Sequence, residues 1–331
     1  MVPGVDAMSE RRPRVGVTRR LPSAVEVLLR QRYDVVQHES PGPLDAMALV
    51  AMMREVDALL PTVTDILDEA VIGAGLGRCR MIANFGVGVN HIDVPAATRA
   101  GMTVTNTPDV LTEDTADLAM GLMLALMRRM GEGEREVRAG TWTGWHPTQF
   151  LGRRLSGKTL GVVGLGRIGR AVAHRAERGF GMKVLAWSRS RRRGSEAGTR
   201  IERVNRLEQL LEASDVVSVH CPLVATTFHL IGKPQFAQMK REAVLINTSR
   251  GPVVHESALV EALETEMIAG AGLDVYEEEP AVHPGLVGRE NVVLLPHLGS
   301  ATVESRLAMG MRAIENLEAH FAGRDVPDRV N

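Results

Sequence analysis

The stretch Gly161-Val162-Val163-Gly164-Leu165-Gly166-Arg167-Ile168-Gly169 constrains this chain more than any other. An apolar β-type run, Thr159 to Val163, leads straight into Gly164-x-Gly166-x-x-Gly169, and apolar residues then recur at helical spacing at Ile168, Val172 and Ala176. A lone Gly-x-Gly-x-x-Gly arises easily in a chain with 33 glycines. Its strand-turn-helix setting gives this one a mechanism. Gly164 allows a tight turn, Gly166 lets a pyrophosphate approach the backbone, and Gly169 lets the helix pack closely on its strand. Leu165, Arg167 and Ile168 complete the turn, where backbone N–H groups and the positive helix end hold phosphates. The motif therefore predicts a dinucleotide-binding unit.

The flanking sequence agrees. Strands are expected near Arg14–Thr18, Asp34–His38, Ala58–Leu60 and Met81–Asn84, with helices from about Ser23, over Leu44–Met53 and over Thr64–Ala70. Ser23 and Glu26 have capping-box spacing. From Thr159 the alternation resumes, with strands at 159–163, 183–187, 216–219, 243–247, 270–274 and 292–294, and a closing helix over Val303–Ala322. Such alternation predicts an α/β protein of two Rossmann-like, doubly wound parallel-sheet domains with a cleft between them. Only the second carries a phosphate-binding glycine turn. Between them, Thr112–Arg129 reads as a long buried helix. Gly131–Lys158, with Trp142 and Trp145, reads as an irregular arm packing on a second subunit or as a loop folded on its own domain.

The totals exclude several functions. With 39 basic and 40 acidic residues the net charge is −1, which gives no pull towards nucleic acid or an anionic membrane. Aromatic residues make up 3%, so no stacking surface for single strands is expected. Cys79 and Cys221 read as small buried residues in a reducing compartment, not a disulfide or metal pair, and no metal site is expected. The polar stretch Met1–Arg14 lacks a signal-peptide core, and Leu118–Met127 is too short to span a bilayer, so a soluble cytoplasmic protein is expected.

The second strand after the glycine turn chooses between nicotinamide cofactors. An NAD-binding unit ends that strand with a carboxylate for the ribose 2′-hydroxyl. Here Ser188 occupies the slot, followed by Arg189, Ser190 and Arg191. Serine and guanidinium suit a 2′-phosphate, so NADP(H) is expected in preference to NAD(H), which stays possible. The alternative for Arg189–Arg193 is a solvated basic loop.

Three later segments end predicted strands with reactive side chains: Asn247-Thr248-Ser249-Arg250-Gly251, Asp274-Val275-Tyr276-Glu277-Glu278-Glu279-Pro280 and Leu295-Pro296-His297-Leu298-Gly299-Ser300. Ligands bind beyond the carboxyl ends of such strands. Arg250 offers paired donors to a carboxylate and the neighbouring carbonyl oxygen, and His297 can protonate that oxygen as hydride arrives. Glu279 would hold the ring and favour its charged form. Taken singly each residue has a structural explanation; together, downstream of a dinucleotide turn, they form a set for reducing a 2-oxo acid. In the first unit, Asn84-Phe85-Gly86-Val87-Gly88-Val89-Asn90 either presents N–H groups to a small carboxylate or is a simple tight turn.

These segments resemble the D-2-hydroxyacid dehydrogenase family, specifically its glyoxylate/hydroxypyruvate reductase branch. Further matches are Phe85–Asp93, Asn106–Thr112, Thr115–Ala119, Gly157–Gly161, His220-Cys221-Pro222-Leu223 and Pro296–Thr302, so the resemblance runs over nearly the whole chain. It implies a catalytic triad of Arg250, Glu279 and His297, with Glu279 rather than Glu277 or Glu278 as its acid. It also implies that the backbone of Val87 and Gly88 receives the substrate carboxylate. Cofactor contacts are implied at Thr115, Cys221, Pro222, Thr248, Ser249, Asp274 and Gly299. The family's homodimers place a discontinuous substrate domain, here 1–108 plus 303–331, beside a dinucleotide domain, here 109–302 with an arm at about 131–158. Trp142 or Trp145 would border a partner's site. Ser188-Arg189-Ser190 departs from the family's more common acidic pattern and puts NAD use in doubt.

The expected activity is NADPH-dependent reduction of glyoxylate or hydroxypyruvate to the D-2-hydroxy acid. Two alternatives stay open: a family member acting on a phosphoglycerate or branched 2-oxo acid, and a dinucleotide-sensing corepressor of the same fold. The chain stops at Asn331 soon after its last expected helix, which disfavours the longer phosphoglycerate enzymes. The Glu279–His297 arrangement, where formate dehydrogenases have a Gln-His pairing, disfavours that branch.

Overall fold

The computed structural model describes residues 11–189 and 200–331. Two compact units divide the chain: Met1–Val110 with Thr302–Asn331, and Leu111–Ala301.

The first unit alternates β1 (Arg14–Val17), α1 (Ser23–Arg32), β2 (Asp34–Gln37), α2 (Ala46–Glu55), β3 (Ala58–Leu60), α3 (Glu69–Ala74), β4 (Met81–Ala83), α4 (Val94–Arg99) and β5 (Thr103–Thr105). Its sheet is parallel throughout, in the order β2-β1-β3-β4-β5. Helices cover both faces of such a sheet, which is why β3 and β4 are buried along their whole length.

Side-chain caps set several helix starts. Asp45, Asp68 and Asp93 each accept a hydrogen bond, at 2.8 Å, from the backbone N–H three residues on. The cap at Asp68 starts α3 at Glu69, five residues later than apolar spacing from Thr64 suggests. The expected capping box at Ser23 does not form. Ser23 is already helical and Pro22 is the cap residue. Glu26 instead accepts the Leu21 N–H at 3.0 Å and pairs with Arg20 and Arg30.

The second unit runs α5 (Thr112–Met127), α6 (Met130–Arg138), β6 (Thr159–Val163), α7 (Arg167–Phe180), β7 (Lys183–Trp187), β8 (Ile201–Arg203), α8 (Leu207–Ala213), β9 (Val216–Val219), α9 (Lys233–Phe236), β10 (Val244–Asn247), α10 (Glu256–Glu264), β11 (Gly270–Leu273) and β12 (Val292–Leu294). A final helix, α11 (Val303–Phe321), returns to the first unit. The second sheet is also parallel, in the order β12-β11-β10-β9-β6-β7-β8. Counting strands from β6, the order is that of a Rossmann fold, reversing between β6 and β9. One core cluster lies where α7 and α5 cover the sheet, around Leu122, Leu160, Val162, Val172 and Ile246, and another gathers Leu210, Phe236, Leu245 and Leu259.

The segment expected to be irregular begins with a helix. Arg129 adopts a positive φ of 53°, which ends α5 and redirects the chain into α6. No residue of α6 is buried, and its sequence, with two glycines and many charges, carries little apolar signal. Ion pairs hold it, Arg129 with Glu132 and Arg138 with Glu134, both at 2.5 Å. Val137 within it and Trp142, Trp145 and Leu151 beyond it are exposed, Trp145 at 80%. Among the described residues, no helix is long and apolar enough to cross a membrane.

Candidate active site

The glycine turn sits at the strand-order reversal of the second sheet. Gly164 follows β6 with φ +101°, and a Cβ there would lie 2.6 Å from the Cys221 N, so the Cys221-Pro222 turn seals against it. A Cβ on Gly169 would lie 2.1 Å from the Gly164 carbonyl oxygen, which fixes how closely α7 meets β6. Gly166 differs. It is the N-cap residue of α7, and a Cβ there would meet nothing within 4 Å. Packing does not require glycine at 166; the open space at the helix N-terminus is where a pyrophosphate fits. Leu165 is buried and Arg167 and Ile168 open the helix.

Ser188 follows β7 and is half-buried, with exposed Arg189 donating from Nη1 to Thr226 Oγ1. Ser190 and Arg191 lie outside the described residues. Thr226 carries no signal in the sequence; the fold alone brings it to Arg189. At the end of β10, Thr248 is 7% exposed and its Oγ1 is buried without a hydrogen-bond partner. An orphaned buried hydroxyl just past the carboxyl end of β10 fits a cofactor contact.

The three reactive segments leave neighbouring strands, β10, β11 and β12. His297 Nδ1 lies 2.8 Å from Glu279 Oε2. Glu279 Oε1 accepts the Tyr276 N–H at 3.1 Å, which fixes the carboxylate that faces the ring. Arg250 is half-buried, and its charge and that of Glu279 act on each other. The neighbouring acids have other partners. Glu277 Oε1 is 2.5 Å from His229 Nε2 and its Oε2 accepts the Glu256 N–H at 2.9 Å, while Glu278 is exposed.

The D-isomer specific 2-hydroxyacid dehydrogenase NAD binding domain matches residues 120–299. The chain belongs to the D-2-hydroxyacid dehydrogenase family. Over 97% of its length it is 45% identical to the glyoxylate reductase of Thermococcus litoralis, of which it covers 97%. The glyoxylate reductase of Aeropyrum pernix is 47% identical over 97% of the chain and 96% of that protein. Among solved structures, the NADPH-dependent glyoxylate/hydroxypyruvate reductase of Sinorhizobium meliloti, in complex with NADP and malonate, has a TM-score of 0.86. It is 37% identical, with 96% of this chain and 97% of that chain covered.

The support beneath Arg250, Glu279 and His297 in this D-2-hydroxyacid dehydrogenase was not evident from its motifs. Asp274 spends both carboxylate oxygens on the backbone beyond the histidine, accepting from Leu298 N at 2.6 Å and Gly299 N at 2.8 Å. The His297 N–H returns a bond to the Asp274 carbonyl at 2.9 Å, and His297 itself has φ +57°. That left-handed backbone is costly for a non-glycine residue and is held here by these bonds. Thr115 is buried, its hydroxyl 2.9 Å from the carbonyls of both Leu111 and Gly299. Asn247 does for the arginine what Asp274 does for the histidine. Its Oδ1 accepts from Ser249 N and Oγ at 3.0 and 2.9 Å, and its Nδ2 donates to the Arg250 carbonyl at 3.0 Å.

Electrostatics in this dehydrogenase follow from burial and pairing. Burial pushes the Glu279 carboxyl up, but the hydrogen bond and charge of His297, the Tyr276 N–H and the charge of Arg250 together hold it below the usual range. Burial lowers Arg250 against the opposing pull of Glu279. Burial raises Asp274 although two backbone N–H groups favour its charged form. Burial also pushes the Cys221 thiol up to about 11, so it is no nucleophile at neutral pH.

In the first unit, the loop after β4 carries Val87 and Gly88, both half-buried. Buried Asn84 anchors it: its Nδ2 donates to the carbonyls of Gly86 and Gly88, each at 3.0 Å. Asn106 Nδ2 donates to the Val87 carbonyl at 2.8 Å.

Proposed function

We propose that this protein reduces a small 2-oxo acid, glyoxylate or hydroxypyruvate, to the D-2-hydroxy acid, with NADPH preferred over NADH. The observation that carries the reading is the 2.8 Å pairing of His297 Nδ1 with Glu279 Oε2, at strand ends beside the one that carries Arg250. Because a carboxylate only accepts, His297 donates from Nδ1, and its Nε2 is left to give a proton to the carbonyl oxygen. Glu279, held ionised, fixes the ring's orientation and stabilises its positive charge. Arg250 takes the carbonyl oxygen and one carboxylate oxygen through its paired N–H groups, which polarises the bond being reduced. The N–H groups of Val87 and Gly88 receive the substrate carboxylate.

A bound nicotinamide supplies the hydride. The glycine turn, the open space at Gly166 and the orphaned Thr248 hydroxyl support a dinucleotide here. Thr115, Cys221, Pro222, Ser249, Asp274 and Gly299 are assigned to the walls of the same crevice. Ser188 and Arg189, with no acid in the slot, support a phosphorylated ribose. NADPH dependence in the Sinorhizobium meliloti relative agrees. The protein is assigned to the cytoplasm as a homodimer joined through residues 131–158, whose exposed Trp142 and Trp145 suit burial against a partner.

A spectrophotometric screen of 2-oxo acids with each cofactor tests the reading. Turnover of glyoxylate or hydroxypyruvate, faster with NADPH, is the expected result. Tight NADPH binding without turnover of any 2-oxo acid would overturn it and favour a dinucleotide sensor.

A further inference from the structure

The loop Gly86–Val89 is pinned through its carbonyls. The Gly86 oxygen accepts from Asn84 Nδ2 and from the Thr107 N–H, both at 3.0 Å. The Val87 oxygen accepts from Asn106 Nδ2 at 2.8 Å, the Gly88 oxygen from Asn84 Nδ2 at 3.0 Å, and the Val89 oxygen from the Ile92 N–H at 3.0 Å. In a trans peptide the C=O of one residue and the N–H of the next point in opposite directions. Drawing the carbonyls of Gly86, Val87 and Gly88 towards Asn84 and Asn106 therefore turns the N–H groups of Val87, Gly88 and Val89 the other way. Among the described residues, no protein acceptor takes these three N–H groups.

The arrangement admits one orientation of the Asn84 amide. Asn84 is 1% exposed and directly follows β4, with its own N–H bonded to the Thr105 carbonyl at 3.1 Å. Both amide hydrogens face carbonyl oxygens, so a flipped amide would set oxygen against oxygen twice. The side-chain oxygen then faces His91 Nε2 at 3.0 Å, which must be the donor. His91, 6% exposed, thus selects the Asn84 orientation that aims the backbone.

We propose that Asn84, oriented by His91, and Asn106 are positioning residues that preset three successive N–H groups for the substrate carboxylate, and so govern affinity for the acid rather than the hydride-transfer step. The inference rests on the proposed 2-oxo acid reductase activity and adds Val89 N–H to the donors. A preset donor array binds without first reorganising, and its loss shows in binding.

The test compares wild type with Asn84→Ala and Asn106→Ala in steady-state kinetics, and titrates oxalate into each enzyme with NADP bound. Both variants should raise KM for glyoxylate and weaken oxalate by about 10-fold or more, the scale of a lost charge-assisted hydrogen bond. The kcat and the KM for NADPH should stay within about twofold of wild type, as expected when only substrate binding is lost. His91→Leu should follow Asn84→Ala, while His91→Gln, which keeps a donor, should restore most of the affinity. Folded variants with wild-type oxalate affinity, or with a fall confined to kcat, would overturn the proposal. If Asn84→Ala does not fold, Asn106→Ala decides alone. Wild-type protein that neither turns over a 2-oxo acid nor binds oxalate would instead sink the reductase reading on which the proposal stands.

Discussion

Glu279 and His297, eighteen residues apart in the chain, meet at 2.8 Å, and neither is held by the pairing alone. The carboxylate is fixed by the Tyr276 N–H, and the histidine's left-handed backbone by Asp274. Both partners are thus held by the backbone around them, as the proposed proton transfer at a fixed distance requires.

Replacing the ring should stop the chemistry and spare the cofactor. His297→Ala should lower kcat by about 10²- to 10⁴-fold, the usual share of a general acid. Glu279→Gln keeps an acceptor but loses the charge, and its kcat should fall less. NADPH affinity, read by fluorescence titration, should match wild type in both. Unchanged turnover in His297→Ala would remove the acid role.

The glycine turn allows its packing and binding roles to be separated. Gly169→Ala forces a Cβ to within 2.1 Å of the Gly164 carbonyl oxygen and should cost at least about 1–3 kcal/mol in urea unfolding. Gly166→Ala meets nothing within 4 Å and should unfold at the wild-type midpoint. Its methyl group intrudes where the pyrophosphate would lie, so NADPH affinity should drop by about 10-fold or more for each phosphate hydrogen bond displaced. Equal unfolding of the two variants would remove the packing role of Gly169, and unchanged NADPH affinity in Gly166→Ala would show that the open space at 166 is not a binding surface.

Cofactor choice should turn on the end of β7. Ser188→Asp sets a carboxylate where a 2′-phosphate is proposed and should lower kcat/KM for NADPH by about 10- to 100-fold while raising that for NADH. Arg189→Ala should weaken NADPH alone. Equal loss for both cofactors would point to damage of the turn instead.

His220 should make the fold sensitive to mild acid. Burial lowers its pKa to about 4 from an ordinary 6.5. The folded state therefore refuses a proton that the unfolded chain accepts, and stability falls as pH drops from about 6.5 towards about 4. Its Nε2 lies 2.8 Å from Ser218 Oγ, so the conservative variant His220→Gln keeps a polar partner for that hydroxyl. Denaturant midpoints at pH 7.0, 5.5 and 4.5 should decline less steeply in His220→Gln than in wild type. Parallel slopes would exclude His220 as the source.

Local chemistry in the sequence was enough to specify the glycine turn and the alternation that gives two parallel sheets, and it marked Arg250 and His297 as reactive residues at strand ends; that Glu279 rather than Glu277 or Glu278 pairs with His297 was legible only through the family resemblance. A glycine between a β run and a helical period, or a charged residue closing an apolar strand, is legible because neighbours in sequence set its environment. The helix α6 escaped because exposed ion pairs, not an apolar stripe, hold it. The start of α3 was misplaced because a single side-chain cap at Asp68 outweighed the apolar period before it.

The second layer of the site was decided by tertiary structure alone. Asp274 reaching the backbone of Leu298 and Gly299, Arg189 meeting Thr226, and Asn106 holding the Val87 carbonyl all join segments 19 or more residues apart. Such bonds depend on the register of neighbouring strands and the course of the loops between them. An asparagine or aspartate in a sequence says only that it can donate or accept; which backbone group it captures, and therefore which N–H or ring it aims, is settled when the strands close into a sheet.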